Sequence, residues 1–338
     1  MRLHRLAAVL AASLALCAPG PCEAGTSAVV LMYHGFGDGG SSTNTGIAQF
    51  EAQLAELRSG GYAVLPLSRV VEAIRDGQPL PDLAVAITIN DAPRSAYEVA
   101  WPRLRAAGLP FTVFVTTSVV DHRGRAYMSW DQLRELARAG VEIGAQTHDH
   151  PHMPAQSADR NRAEMETANQ RIAAETGHRP TLFAYPYGEA GTAEIDLVRA
   201  AGYGAAFGQH SGPVHPGADL HSLPRFPLGR EEGGIDRFRR ILRTLPLPVE
   251  DVRPANPALT SNPPRVEFTV AEGVEGLERI GCYASHTGRL VVERHGRRVS
   301  MRPPRPFPPT RGRINCTVPT DQGRWRWFGM QVYVQERK

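Results

Sequence analysis

The sequence predicts an α/β fold built on a parallel sheet, followed by a smaller antiparallel β module. Three observations carry this. Residues 25–245 alternate short apolar runs with stretches of helical periodicity. Polar clusters stand directly after several of those runs, where parallel α/β sheets place their chemistry. After Arg265 the period changes to strict alternation broken by Gly and Pro. Strand–helix repetition alone leaves open whether the parallel sheet closes as a barrel or stays doubly wound.

In chain order, Ala28–Tyr33 reads as a strand leading to His34-Gly35-Phe36. Ile47–Ser59 carries Phe50, Leu54 and Leu57 at helical spacing and stops at Gly60-Gly61. Val64–Leu67, Val85–Ile89, Phe111–Thr116, Val141–Gly144 and Thr181–Tyr185 are further strand candidates. Ser129 caps a helix that Gly140 ends, and Ala158–Thr176 is a longer one. Residues 246–264 are proline-rich and aperiodic, and so read as a linker. Residues 265–338 hold V-E-F-T-V, R-L-V-V-E-R, R-I-N-C-T-V and M-Q-V-Y-V, the pattern of a β-sandwich-like module. Trp325 and Trp327, two apart on one strand face, suit its core better than a sugar platform.

The chain opens with M-R-L-H-R, an apolar stretch to Ala18 and small residues at Ala24. This is the order of a secretory signal over residues 1–24, too short to span a bilayer. An exported protein, periplasmic or secreted, with no stable membrane span is the expectation. The signal holds Cys17 and Cys22, which leaves Cys282 and Cys316 as a disulfide candidate. Residues 265–338 carry a net charge of +7 on a chain whose formal total is +4. Lys338 is the only lysine, so the excess is a matter of arginine-rich composition rather than a nucleic-acid footprint, and no nucleic acid is expected as partner.

Four clusters follow strand candidates: Tyr33-His34, Asn90-Asp91, the run Gln146-Thr147-His148-Asp149-His150-Pro151-His152, and Tyr185-Pro186-Tyr187-Gly188. If the sheet is parallel, they converge on one face. With Met32-Tyr33-His34, Thr88-Ile89-Asn90-Asp91-Ala92, Glu142 through Met153 and Phe183 through Gly188, the chain resembles the polysaccharide deacetylases of the nodulation-protein type, carbohydrate esterase family four. The resemblance covers roughly residues 28–230. It implies a distorted (β/α) barrel and hydrolysis of N-acetyl, sometimes O-acetyl, groups on an acetylated polysaccharide or oligosaccharide. It also implies a divalent metal, typically zinc, that polarises the acetyl carbonyl and a water.

Carried over by position, Asp91 matches a metal ligand, His150 a second, and Tyr187 the backbone oxyanion donor. Two positions depart: Asn90 stands where the resemblance puts the general base, and Gln146 where it puts the first histidine ligand. Glu142-Ile143-Gly144 and Met153 fix that register, although His148 and His152 are also four apart. His148, His152 and Asp149 are therefore candidate substitutes for the missing ligand or base. His210 is the candidate general acid, His34 is expected at the pocket rim, and Arg225 as a brace for a carboxylate. An amide neither accepts a proton near neutrality nor matches imidazole as a zinc ligand. The sequence thus supports a weakened hydrolase, with an inactive glycan-binding protein as the alternative.

Overall fold

A computed structural model describes residues 24–122 and 124–335. The expected leader, Ala24 excepted, lies outside the described residues. Among the described residues no helix is long and apolar enough to cross a membrane.

The first part of the chain folds around an eight-stranded sheet. Its strands are β1 (Ala28–Tyr33), β2 (Ala63–Val64), β3 (Ala84–Ile89), β4 (Thr112–Val115), β5 (Glu142–Ala145), β6 (Leu182–Ala184), β7 (Ala205–Phe207) and β8 (Phe226–Pro227). The path runs β8-β1-β3-β4-β5-β6-β7, with β2 beside β3, and each pairing is parallel. Phe207 also bridges Leu223, just before β8. This is the incompletely closed barrel that the resemblance implies.

β1 and β3 are buried along their whole length, which a parallel sheet covered on both faces requires. Leu31, Tyr33, Ile87 and Ile89 enter one apolar cluster, and Val30, Ala86 and Phe114 the other. Helices Ile47–Ser59 and Ala158–Thr176 form where periodicity places them. The Ser129 hydroxyl accepts the Gln132 N–H and starts helix Trp130–Arg138. The expected strand Val64–Leu67 is cut short at Val64. Pro66 has no N–H for a ladder and sits at the N-cap of helix Leu67–Arg75, which buries Leu67, Val70, Val71 and Ile74.

The C-terminal module has two sheets around one core that includes Phe268, Val299, Ile314 and Val332. Its strands are β9 (Leu245–Pro246), β10 (Val249–Arg253), β11 (Ala258–Leu259), β12 (Val266–Val270), β13 (Gly281–Ala284), β14 (Gly288–Arg289), β15 (Val292–His295), β16 (Arg298–Met301), β17 (Thr310–Pro319) and β18 (Trp325–Val334). One sheet runs β9-β18-β17-β13-β14 with β11 also on β18; the other runs β10-β12-β16-β15. Residues 246–264, read from sequence as a linker, therefore supply β10 and β11 and part of β9. Their prolines fall at strand ends and edges, where no ladder donor is lost. Cys282 and Cys316 face each other across β13 and β17 and are joined by a disulfide.

The module packs tightly on the barrel. Trp327 meets Phe226 edge-on at 5.3 Å between ring centroids, and its indole N–H donates to Asn315 at 3.0 Å. It is thus a joint between the two parts. Gly329 lies so close to the barrel that a Cβ there would sit 2.1 Å from the Ser211 carbonyl oxygen.

Candidate active site

The C-terminal ends of β1, β3, β5 and β6 release His34, Asn90-Asp91, Gln146 and the turn Tyr185–Gly188 on one side of the sheet. The ladder continues one residue into each cluster: Asn90 N–H donates to Tyr33 O at 2.9 Å, Gln146 N–H to Val115 O at 3.0 Å, and Tyr185 N–H to Phe207 O at 3.1 Å. The chain then turns sharply. Asp91 (φ 67°), Ala92 (φ 47°), Thr147 (φ 64°), His150 (φ 56°) and Tyr187 (φ 57°) all adopt left-handed conformations that side chains disfavour. Strained backbone clustered at converging strand ends is the pattern of a functional site.

Asn90 is fully buried. Its Oδ1 accepts from Arg225 Nη1 at 2.8 Å, and its Nδ2 faces the Met32 sulfur at 3.7 Å. Arg225 is equally buried, donating also to Thr88 Oγ1 (3.1 Å) and to the Gly208 carbonyl (3.0 Å). Its guanidinium lies over the Phe114 and Phe207 rings, 5.2 and 5.9 Å from their centroids, and Nη2 has no hydrogen-bond partner among the described residues. Burial pushes its pKa down to about 9, against the attraction of Asp91.

Asp91, Gln146 and His150 do come together. Gln146 Nε2 donates to Asp91 Oδ1 at 2.8 Å and lies 2.8 Å from His150 Nε2. Its Oε1 accepts from the Asp91 N–H at 3.4 Å. Asp91 Oδ1 and His150 Nε2 are 3.5 Å apart. Burial holds the His150 pKa below its ordinary value, opposed by Asp91. His34 is half-buried beside them. It feels Asp91, Arg225, His150 and Arg313, and burial lowers its pKa too.

Each candidate substitute has a hydrogen-bond partner of its own. His148 pairs through Nδ1 with Thr117 Oγ1 at 2.7 Å. Asp149 accepts from Arg160 at 2.7 Å on the surface. His152 pairs through Nδ1 with Glu189 Oε2 at 2.6 Å and stacks on Tyr187 at 4.2 Å. Among the described residues no group of three or more His, Cys, Asp or Glu side chains is placed to hold a metal ion. An aspartate, an imidazole and an amide make a poor donor set for zinc, which takes at least three good protein ligands. The residues present do not fit the implied metal.

His210 is a poor general acid. Burial, opposed by a hydrogen bond to the Ser222 main chain, drops its pKa to about 4, so at neutral pH it has no proton to give. It lines a cleft between barrel and module, with Pro254, Trp327 and Met330, that reaches Tyr185 and Gly188 of the turn.

Sequence reasoning missed several residues. Glu164, in the buried face of helix Ala158–Thr176, accepts the N–H groups of His148 (3.1 Å) and Asp149 (2.7 Å), fixing the histidine run. Glu189 is buried, and burial raises its pKa against the pull of His152 and Arg311. The module contributes three more. Gln331 Nε2 donates to the Tyr187 carbonyl at 3.0 Å and Arg311 Nη1 at 3.3 Å. The Arg311 guanidinium also lies 5.5 Å from the Tyr187 ring centroid. Arg313 bonds Gln331 and Gln209, each at 3.1 Å. The only sequence signal for these was the arginine excess of the module.

Comparison with known proteins gives a consistent picture. A family model described as "Polysaccharide deacetylase" matches residues 77–206. The chain is 25% identical over 202 residues to the "Putative polysaccharide deacetylase YxkH" of Bacillus subtilis, covering 60% of this chain and 69% of that one. It is 27% identical over 214 residues to the poly-beta-1,6-N-acetyl-D-glucosamine N-deacetylase of Escherichia coli K12, covering 51% of this chain. It spans only 32% of the length of that relative. Among solved structures, the Streptococcus pyogenes deacetylase PplD in complex with acetate superposes with a TM-score of 0.60 at 20% identity, over 64% of this chain and 98% of that one. IcaB from Ammonifex degensii superposes with a TM-score of 0.57 at 24% identity, over 64% and 97%. These structures share the barrel.

Proposed function

We propose, from the premise that the chain belongs to the polysaccharide deacetylase family, that it removes acetyl groups from an acetylated glycan by water attack, at a rate lowered by Asn90 and Gln146. The observation that carries this is the convergence of Asp91, His150, His34 and the Tyr187 turn on one side of the sheet. The Tyr187 N–H belongs to the first residues of a tight turn, which have no carbonyl one turn back to bond, so it suits a developing oxyanion. With Gln146 occupying Oδ1, Asp91 offers Oδ2 to take the proton of the attacking water. Water oxygen bonds the acetyl carbon, the carbon–nitrogen bond breaks, and that proton passes to the leaving amine. Asn90 cannot join in this transfer. Loss of a positioned base costs about 10²–10⁴-fold in rate.

Relatives named for poly-β-1,6-N-acetyl-D-glucosamine make an N-acetylated amino-sugar polymer the substrate class to try first. The N-terminal leader pattern supports export, and a disulfide fits an oxidising compartment. A second reading, a glycan-binding protein without hydrolysis, is favoured by one observation. Asn90 and Gln146 are both locked in hydrogen bonds rather than free to act.

Acetate release from acetylated β-1,6-glucosamine and chito-oligosaccharides tests the two. Slow turnover that Asp91→Ala abolishes and Asn90→Asp accelerates supports the hydrolase. No turnover by the wild type, with glycan binding retained, supports the binding protein. Turnover unchanged by Asp91→Ala refutes the site.

A further inference from the structure

The carboxamide of Gln146 has two N–H donors and one carbonyl acceptor, and all three are used. One N–H meets Asp91 Oδ1 at 2.8 Å, the other points to His150 Nε2 at 2.8 Å, and Oε1 takes the Asp91 main-chain N–H at 3.4 Å. Asp91 Oδ1 and His150 Nε2 are the two atoms that the resemblance would give to a metal. They stand 3.5 Å apart, as two ligands of one cation would. Yet what lies beside both is an amide nitrogen with its protons, the partial charge of which repels a cation and satisfies the same two lone pairs.

We propose that Gln146 replaces the metal of this site with a carboxamide, so that Asp91 and His150 are held together by hydrogen bonds and no resident divalent cation binds there. To admit a cation the amide has to turn over and present Oε1. That breaks both short hydrogen bonds and sets the amide nitrogen against the Asp91 N–H, donor facing donor. The cation would gain only a neutral carbonyl oxygen, a ligand that suits magnesium, calcium or manganese better than zinc. The surroundings hold the amide in place. Gln146 is fully buried, its N–H is fixed to Val115 O at 3.0 Å, and Glu164 clamps the run that carries His150. Among the described residues His148 and His152 do not join Asp91 and His150 in a group of three or more that could hold a metal ion.

The inference rests on the site described under the proposed function, but metal content reads it out independently of acetate release. The full chain is purified without chelator, dialysed against zinc, cobalt or manganese chloride, and analysed for bound metal alongside thermal unfolding. The wild type is expected to retain no stoichiometric metal that depends on Asp91 and to show no metal-dependent rise in melting temperature. Gln146→His is expected to take up about one zinc per chain, the complement of a three-ligand site, and to lose it in the Gln146→His/Asp91→Asn double variant. Gln146→Glu, a carboxylate of the same length, is the second gain variant in case the histidine does not fold. Metal that the wild type keeps after Asp91→Asn lies elsewhere and leaves the closed site standing. About one metal per wild-type chain that Asp91→Asn removes overturns the proposal. So does failure of both folded gain variants to bind any, since Gln146 would then not be what excludes it.

Discussion

Replacing Asn90 by aspartate is the most direct physical test of the site, because its first effect is on stability. Arg225 is buried with its charge uncompensated. A fall from 12.5 to about 9 in its pKa corresponds to roughly 5 kcal/mol against the charged form in the folded state. For a base with a depressed folded value, the unfolded chain binds the proton more tightly. The penalty is therefore complete below about pH 9, which includes neutrality, and fades only as pH rises towards 12.5. An aspartate at position 90 turns the 2.8 Å contact between the charged Nη1 and a neutral oxygen into an ion pair and offers an oxygen to the orphaned Nη2. A hydrogen bond to a charged group contributes about 1.5–3 kcal/mol, and the one gained at Nη2 is of that kind. Burying the new carboxylate cancels part of the relief. The expected net gain is about 1–3 kcal/mol.

Urea unfolding followed by tryptophan fluorescence at pH 7 reads this as a higher midpoint at unchanged slope. The gain has a pH signature. Arg225 lowers the folded pKa of the new carboxyl, so the added stability is present above the ordinary aspartate value of about 3.9 and is lost as pH falls through the folded value. Asn90→Leu is the control. It removes one of the two acceptors of Nη1, leaving Thr88 Oγ1, and should cost about 1.5–3 kcal/mol. An Asn90→Asp variant no more stable than wild type at pH 7, with unchanged slope, would refute the idea that Arg225 is under-compensated.

Three further outcomes are expected. Gly188→Ala, at φ +70° with a Cβ 2.6 Å from Gln209, should lower stability by more than about 1–2 kcal/mol and reduce glycan binding, since it displaces the Tyr187 turn; calorimetry and binding assays check both. Reducing the Cys282–Cys316 disulfide, which closes a 34-residue separation, should cost about 3–4 kcal/mol by the chain-entropy estimate, read in urea with and without reductant. Stability should also fall on acidification from pH 7 to pH 4. His34, His150 and His210 are held neutral by burial, so the unfolded chain binds protons below pH 6.5 that the folded chain refuses. His210, at about 4, accounts for up to roughly 3 kcal/mol of that, and His210→Gln should flatten the profile.

The barrel half of the site was legible because its signals are local. A β-branched run ending in Asn90-Asp91 needs only its own periodicity to be a strand end, and parallel topology then brings Gln146, His150 and Tyr187 to the same side. The module half was not. Arg311, Arg313 and Gln331 lie on alternating strands, where the pattern tells inward from outward but not what the outward face meets. Their contacts with Tyr187 and Gln209 span more than a hundred residues. Glu164 and Glu189 carry no local signal, because only the fold reveals that they are buried beside the histidine run. The proline-rich segment misled for a related reason. Its prolines argue against central strands but not against the edge positions that β10 and β11 fill.

The two altered positions share a chemistry that explains why the fold tolerates both. At position 90 an amide oxygen accepts from Arg225 as a carboxylate oxygen would. At position 146 an amide nitrogen donates to Asp91 and His150 where a cation would draw on their lone pairs. Each substitution removes charge and keeps hydrogen bonding, so no polar atom of either amide is left stranded among the site residues. The two networks are separate in hydrogen bonding, since Arg225 touches Asn90 and Gln146 touches Asp91, yet positions 90 and 91 share a peptide bond in strained backbone. Restoring both charges at once should therefore be non-additive. A double-mutant cycle of Asn90→Asp and Gln146→His, measured as zinc-dependent stability, should show coupling above about 0.5 kcal/mol. Full additivity would mean that the carboxylate held by Arg225 and the side chain at position 146 contribute to stability as independent parts.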